Sequence, residues 1–141
     1  MNHSPPNNKK NTGTGLTSST TEVVGDVRRK KDENPEWYLG LQTQYDKVYE
    51  RGLEAILTAN YPEIGVCCDE NQALLKELGV SCKELEDLIE VAKNAGAVGS
   101  KLAGTGRGGL MFAICDSPES QERVFVELSK ASKQCWKTTF Q

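Results

Sequence analysis

The sequence is short of aromatic residues, has one histidine, and carries no excess of basic charge. Aromatic residues make up 6% of the 141 positions, and 17 lysines and arginines stand against 20 aspartates and glutamates, for a formal net charge of −3. Domains that bind nucleic acid carry a concentrated basic surface, so this balance argues against a nucleic-acid partner. The uncharged stretches are too short, and too rich in glycine or polar residues, to form a membrane-spanning helix.

The cysteines lack the spacing of a metal site. Their number is odd, and the five are Cys67, Cys68, Cys82, Cys115 and Cys135. No two are spaced as Cys-x-x-Cys, and the single histidine, His3, lies in a polar stretch, so no zinc site is expected. Free thiols are typical of a reducing compartment. Residues 1–12 hold no apolar run and are predicted to be a disordered tail without a targeting signal, so we expect a cytoplasmic protein, with a peroxisome-like organelle as the alternative.

The first two helices are predicted from their capping residues. Ser19 and Glu22 have the spacing of a capping box, and Arg28–Lys31 suit the end of the helix that the box begins. Asn34–Pro35 then predicts the start of a long amphipathic helix, because proline is favoured at the first helical position. We expect Tyr61–Pro62 to end this helix, since the residue before a proline is pushed out of the α region.

Two further helices follow from the spacing of leucines. Glu63–Leu78 places its leucines on one face and is expected to stop at Gly79. Ser81 and Glu84 have the spacing of a second capping box, which predicts a helix that ends at Asn94–Gly96.

The apolar pattern then changes its period. Ala97–Leu102 is short and rich in small residues, and Leu110–Cys115 is a continuous apolar run typical of a central strand. Ser117–Pro118 predicts the start of another helix, and Cys135–Phe140 alternates weakly, which predicts a closing strand. This order of elements predicts an α+β domain in which helices cover one face of a small sheet.

The most informative segment is residues 104–109, which we call the glycine segment. Its four glycines are Gly104, Gly106, Gly108 and Gly109. Without Cβ atoms the backbone amides can converge on an anion, and Arg107 adds a cation suited to phosphate. A dinucleotide loop needs a helix directly after it and a P-loop needs Gly-Lys-Ser/Thr, so both are excluded. Anion binding and a tight glycine-rich hairpin both remain open, as do capping and substrate contact for Ser19 and Thr20.

Three blocks of the sequence together resemble a known family. Lys101–Gly109 is similar to a Lys-apolar-Ser/Thr-Gly-x-Gly-x-Gly-Gly loop between strands, and Asn71–Leu75 resembles the Asn-Gln-x-Leu helix that precedes that loop. Gly13–Arg28 resembles the segment that opens the same domain. The family is that of the GHMP small-molecule kinases, and the blocks resemble its mevalonate kinase branch. The resemblance implies that residues 13–141 form a GHMP kinase C-terminal domain, with a small antiparallel sheet in a ferredoxin-like arrangement.

The resemblance also implies a role in phosphoryl transfer. Kinases of this branch use ATP and Mg²⁺ to phosphorylate mevalonate, a precursor of isoprenoids and sterols, in a cleft between two domains. The residues implied to lie beside the nucleotide phosphates are Gly104, Thr105, Gly106, Arg107, Gly108 and Gly109. Ser19 and Thr20 are implied to contact the substrate. Ala103 stands where the family prefers serine or threonine, and Arg107 stands where many members have glycine, so the loop loses a hydroxyl and gains a cation.

In this family the ATP loop, the catalytic aspartate and the cleft lysine belong to an N-terminal domain. We therefore expect no catalytic residue and no metal ligand in this chain, and no activity without an N-terminal kinase domain as partner. A domain separated from such a partner should expose apolar surface, so we expect it to depend on that partner or to form a homodimer. The alternatives are the C-terminal domain of a phosphomevalonate kinase or galactokinase, and a non-catalytic binding or regulatory module of the same fold.

Overall fold

The order of elements follows the sequence pattern closely in the computed structural model, which describes residues 20–103 and 110–139. In these residues five helices and two strands occur in the order α1 (Thr20–Glu33), α2 (Pro35–Leu57), α3 (Tyr61–Leu78), α4 (Lys83–Asn94), β1 (Gly99–Ala103), β2 (Leu110–Ile114) and α5 (Pro118–Ala131). The predicted α+β class is confirmed. The predicted disordered tail lies outside the described residues.

Most of the predicted helix ends are confirmed because they depend on contacts within one turn. The Asn34 side chain accepts a hydrogen bond from the Trp37 amide at 3.1 Å, and Pro35 occupies the first turn of α2. The Ser117 hydroxyl accepts from the Ser120 amide at 3.1 Å and caps α5 in the same way. Gly79 ends α3 with a φ of 93°, a left-handed conformation that glycine adopts without steric cost.

Two of the predicted helix boundaries are wrong. Tyr61–Pro62 does not end α2, which stops at Leu57, but begins α3, because the Asn60 side chain caps that helix and proline is tolerated in a first turn. The capping box predicted from Ser81 and Glu84 does not form. The Ser81 hydroxyl instead donates to Glu86 Oε2 at 2.6 Å, and α4 begins after Cys82, whose side chain makes no capping hydrogen bond in the described structure.

The two strands form an antiparallel pair whose register brings Ala103 opposite Leu110. The sequence predicts a central strand at Leu110–Cys115, but among the described residues the sheet has two strands, so β2 is an edge. The predicted closing strand is also wrong for Cys135–Thr139, which form no strand. This segment instead lies along α5, where the Gln121 side-chain amide donates to the Thr138 carbonyl at 2.8 Å.

The main core is built between the sheet, α4 and α5. Its buried members come from every element except α2 and α3 and from the short connections: Val23, Val80, Leu85, Leu88, Ile89, Ala92, Ala97, Leu102, Met111, Val124 and Leu128. This single cluster joins α1 to the ends of β1 and β2 that flank the glycine segment, because Val23, Leu102 and Met111 all belong to it.

A second core joins α2 to α3. Its buried members are Leu41, Val48, Cys67 and Leu74. On the rim of this interface Arg51 bridges the two helices, with its guanidinium 2.7 Å from Glu70 Oε1 and 2.9 Å from Glu63 Oε2. The two helices therefore form a unit that supports the sheet through α3.

The outer side of α2 carries an apolar surface that we call the α2 stripe. Its six side chains are 42–75% exposed, and they are Leu39, Tyr45, Tyr49, Leu53, Ile56 and Leu57. At 100° per residue they fall within about a third of the helix circumference. Within residues 20–103 and 110–139, no helix is both long enough and apolar enough to cross a bilayer.

Candidate functional site

Helix α3 approaches β1 closely because two glycines meet at their contact. A Cβ atom added to Gly65 would lie 2.1 Å from the Val98 carbonyl oxygen, and one added to Gly99 would lie 2.3 Å from the Gly65 carbonyl oxygen. Both distances are far below van der Waals contact. Only glycine at each position therefore permits the helix to reach the backbone of the strand.

The same face of α3 forms hydrogen bonds with the outer edge of β1. Asp69 and Gln72 follow Gly65 by four and seven residues, which places all three on one side of the helix. Asp69 Oδ1 accepts from the Ser100 amide at 3.1 Å, and Gln72 Oε1 accepts from the Leu102 amide at 2.8 Å. These side chains satisfy two amides that a neighbouring strand would otherwise bind.

Gln72 is itself held in one orientation by α4 and the turn before it. Gln72 Nε2 donates to Glu86 Oε2 at 2.7 Å and to Ser81 Oγ at 3.1 Å. The Ser81 hydroxyl also donates to Glu86 Oε2, so the three side chains form a closed network. Gln72 is 5% exposed, which keeps water from competing for these bonds.

Further polar contacts fix the middle of β1. The Ser100 hydroxyl donates to the Phe112 carbonyl at 3.0 Å, and Asp69 forms an ion pair with Lys93 at the end of α4. In the described part of the chain, the buried Oδ1 atom of Asn71 has no hydrogen-bond partner. An acceptor of this kind is satisfied by water or by a donor brought by a ligand.

Lys101 places a cation just before the glycine segment. Its ammonium donates to the Leu102 carbonyl at 2.7 Å and lies 5.4 Å from the centre of the Phe112 ring. Burial lowers the pKa of Lys101, because the charged ammonium is partly removed from water. Burial likewise raises the pKa of the neighbouring Cys68 thiol. All five cysteines are free thiols.

The structure describes the supports of the predicted site but not its centre. The six residues of the glycine segment and Ser19 lie outside the described residues, and Thr20 is described only as the first residue of α1. The segment connects Ala103 to Leu110, which are paired across the hairpin. No group of three or more histidine, cysteine, aspartate or glutamate side chains in residues 20–103 and 110–139 is arranged to hold a metal ion.

Sequence reasoning missed the residues that brace β1. Gln72 lies in the block Asn71–Leu75, but Asp69 and Glu86 belong to no predicted motif. The available signal is the recurrence of Gly65, Asp69 and Gln72 on one face of the predicted helix. The partner of Gln72 on β1 lies 30 residues further along the chain, so no local pattern reveals it.

Comparison with known proteins identifies the class of protein. The family model described as GHMP kinases C terminal matches residues 53–134, which is more than half of the chain. The chain therefore belongs to the GHMP kinase C-terminal family. The α3 face, both strands and the glycine segment all fall within the matched residues.

Proteins similar to the chain include mevalonate kinases, as the resemblance predicted. The chain is 37% identical over 123 residues to the mevalonate kinase of Thermococcus gammatolerans and 36% identical over 116 residues to that of Pyrococcus furiosus. These alignments cover 84% and 79% of the chain but only 36% and 34% of the two relatives. The chain thus spans about a third of the length of the curated relatives that it matches.

Solved structures give the same result. The crystal structure of L. major mevalonate kinase in complex with R-mevalonate superposes with a TM-score of 0.85 at 31% identity, over 89% of this chain and 39% of that one. The Methanococcus jannaschii mevalonate kinase superposes with a TM-score of 0.62 at 27% identity, over 84% of this chain and 35% of that one. The fold of the chain is therefore that of one part of these kinases.

Proposed function

We propose that this chain supplies the C-terminal domain of an ATP-dependent mevalonate kinase. In this proposal the glycine segment lies beside the phosphates of ATP, and Ser19 and Thr20 face mevalonate. The observation that carries the proposal is the family match, which includes the whole glycine segment between two paired strands. One solved relative is described in complex with R-mevalonate, which supports mevalonate as the substrate.

The chemistry of phosphoryl transfer suits such a segment. Catalysis of this reaction is mainly positioning of the reactants and neutralisation of charge that spreads over the transferred group. Glycine amides can approach phosphate oxygens closely, and the guanidinium of Arg107 can form charge-assisted hydrogen bonds with them. Bound Mg²⁺ would neutralise further charge on the phosphates, and we propose that its protein ligands come from outside this chain.

The remaining parts of the active site are assigned to a partner. We propose that an N-terminal kinase domain provides the ATP loop, the general base and the cleft lysine, because the chain spans about a third of its relatives. This chain alone is then expected to bring no catalytic residue to the reaction. Five free thiols suit a reducing compartment, so we propose that the reaction takes place in the cytoplasm or in a peroxisome-like organelle.

The role of the glycine segment is tested by Arg107→Ala in the full chain assembled with the N-terminal domain of a mevalonate kinase. Removal of a charge-assisted hydrogen bond to phosphate should raise the KM for ATP about tenfold and leave the KM for mevalonate unchanged. Arg29→Ala, which removes an exposed arginine of α1 paired with Asp26, is the matched control and should change neither constant. A KM for ATP that is indifferent to Arg107 would favour a plain hairpin connection instead.

A further inference from the structure

We infer that Gln72 is a positioning residue for the end of β1 that leads into the glycine segment, and that Glu86 and Ser81 hold Gln72 in place. It fixes the strand that leads into the segment, and it does so from α3. The positional part of this inference stands on the hydrogen bonds alone. Its consequence for ATP rests on the proposed function.

The bond from Gln72 reaches the chain two residues before the glycine segment. The Leu102 amide donates to Gln72 Oε1 at 2.8 Å, and Leu102 is only 1% exposed. If this acceptor were removed, water could not easily replace it and the amide would be left unsatisfied. The strand would then lose the contact that sets its distance from α3.

The network also decides which way the Gln72 amide faces. Glu86 Oε2 accepts hydrogen bonds, so the Nε2 group of Gln72 must point toward it and the Oε1 atom must point toward Leu102. A flipped amide would bring oxygen against carboxylate and nitrogen against the Leu102 amide. Glu86 on α4 therefore orients the Gln72 amide so that its Oε1 atom accepts the hydrogen bond from β1.

The two strand ends that the glycine segment joins are held close to the Gln72 bond. One end, Ala103, is one residue from the Gln72 bond, and the other, Leu110, is paired to Ala103. Small displacements of groups that position a substrate carry large kinetic costs, so the anchor matters to the reaction.

The test uses the direction of the hydrogen bonds. Gln72→Leu removes both the acceptor for Leu102 and the donor to Glu86. Gln72→Glu keeps an acceptor but places two carboxyl groups against each other. The double change Gln72→Glu with Glu86→Gln restores one donor and one acceptor in exchanged positions, so it should rescue what Gln72→Glu loses.

Two readouts separate positioning from general stability. In the full chain, hydrogen exchange of the Leu102 amide should become about tenfold faster in both single variants and return toward the original rate in the double variant. In the chain assembled with an N-terminal mevalonate kinase domain, the KM for ATP should rise about tenfold in the single variants and recover in the double variant. Val48→Ala, in the α2–α3 core, is the control that destabilises the fold without touching the network.

The outcomes distinguish the positioning role of Gln72 from the proposed function, on which the effect on the KM for ATP rests. No ATP-dependent activity in the assembled parent protein would overturn the proposed function and the kinetic role, while exchange at Leu102 would still decide the positioning role. An active parent with an unchanged KM for ATP in Gln72→Leu would overturn the kinetic role alone. Equal effects in Val48→Ala, or no rescue in the double variant, would show that Gln72 acts through stability and not through position.

Discussion

Lys101 is a residue whose surroundings work against its charge. Its ammonium lies over the Phe112 ring and donates to the Leu102 carbonyl, yet burial still lowers its pKa. A lysine with a lowered pKa lowers the free energy of unfolding at neutral pH, which is the cost of its charge. Lys101 lies three residues before a segment that is proposed to bind phosphate, and a cation near phosphate attracts it.

This cost predicts a pH dependence that Lys101→Met should remove. Between the lowered folded pKa and the unfolded value near 10.5, the unfolded chain holds more protons, so the free energy of unfolding rises with pH there. The difference in unfolding free energy between the parent and Lys101→Met should therefore grow in favour of the parent as pH rises from 7 toward 10. Urea unfolding at several pH values measures it, with both proteins carrying Cys68→Ser so that the nearby thiol does not titrate. A difference that is flat or falls with pH would contradict the assignment.

At Ser81 the local sequence pattern predicts the wrong hydrogen bonds. The spacing of Ser81 and Glu84 predicts a capping box. In the structure Ser81 bonds to Glu86 and Gln72 instead. The tertiary network outweighs the local pattern here, since a buried glutamine that lacks partners costs more than an unmade cap.

At the scale of elements, the sequence predicted what local contacts decide. The starts of α2 and α5 and the end of α3 rest on Asn34, Ser117 and Gly79, each of which acts within about one turn. The place of β2 in the sheet and the absence of a strand at Cys135–Thr139 depend on which segments pair across the molecule. The six-residue apolar run Leu110–Cys115 does not contain that information.

Two glycine-to-alanine changes should have opposite effects on the free energy of unfolding, because only one of the two glycines lies in the contact between α3 and β1. Gly65→Ala places a Cβ against the Val98 carbonyl and should lower the free energy of unfolding by about 1–3 kcal/mol. Gly40→Ala lies in α2 with nothing within 4 Å of its new Cβ, and should raise that free energy by about 0.5–1 kcal/mol, because alanine favours the helix. Urea unfolding of both variants provides the measurement. Equal effects would show that the helix and the strand are not in the close contact described.

At the scale of the whole molecule, the α2 stripe is an exposed apolar surface that we expect to be buried against another protein surface. It extends about 27 Å along the helix from Leu39 to Leu57. Exposed apolar patches of this kind mark interaction surfaces in soluble proteins. The stripe agrees with the expectation that this chain associates with an N-terminal kinase domain or with a second copy of itself.

Leu53→Lys tests whether the stripe drives association. A charge in the middle of the stripe should shift the chain toward the monomer in sedimentation velocity experiments at increasing concentration. Gln44→Lys adds the same charge to an exposed position on another side of α2 and should leave the distribution as it was. If both variants associate as the parent does, the stripe is not the surface through which the chain associates.

The sequence predicts which residues form the candidate site, but not what holds them in place. The four glycines and Arg107 indicated an anion-binding loop or a hairpin, and the family resemblance favoured the first. The sequence alone does not indicate the residues that support that loop. They lie between Gly65 and Gln72 on α3 and at Glu86 on α4. They act across 14 to 34 residues, beyond the reach of any local pattern.

The central proposal is that this chain is one part of a mevalonate kinase and needs the other part for catalysis. ATP-dependent phosphorylation of mevalonate should be measured for the full chain alone, for the N-terminal domain of a mevalonate kinase alone, and for the two together, with phosphomevalonate and galactose as alternative acceptors. The proposal predicts turnover of mevalonate only in the mixture. Robust turnover by the chain alone, or a mixture that prefers phosphomevalonate or galactose, would contradict it.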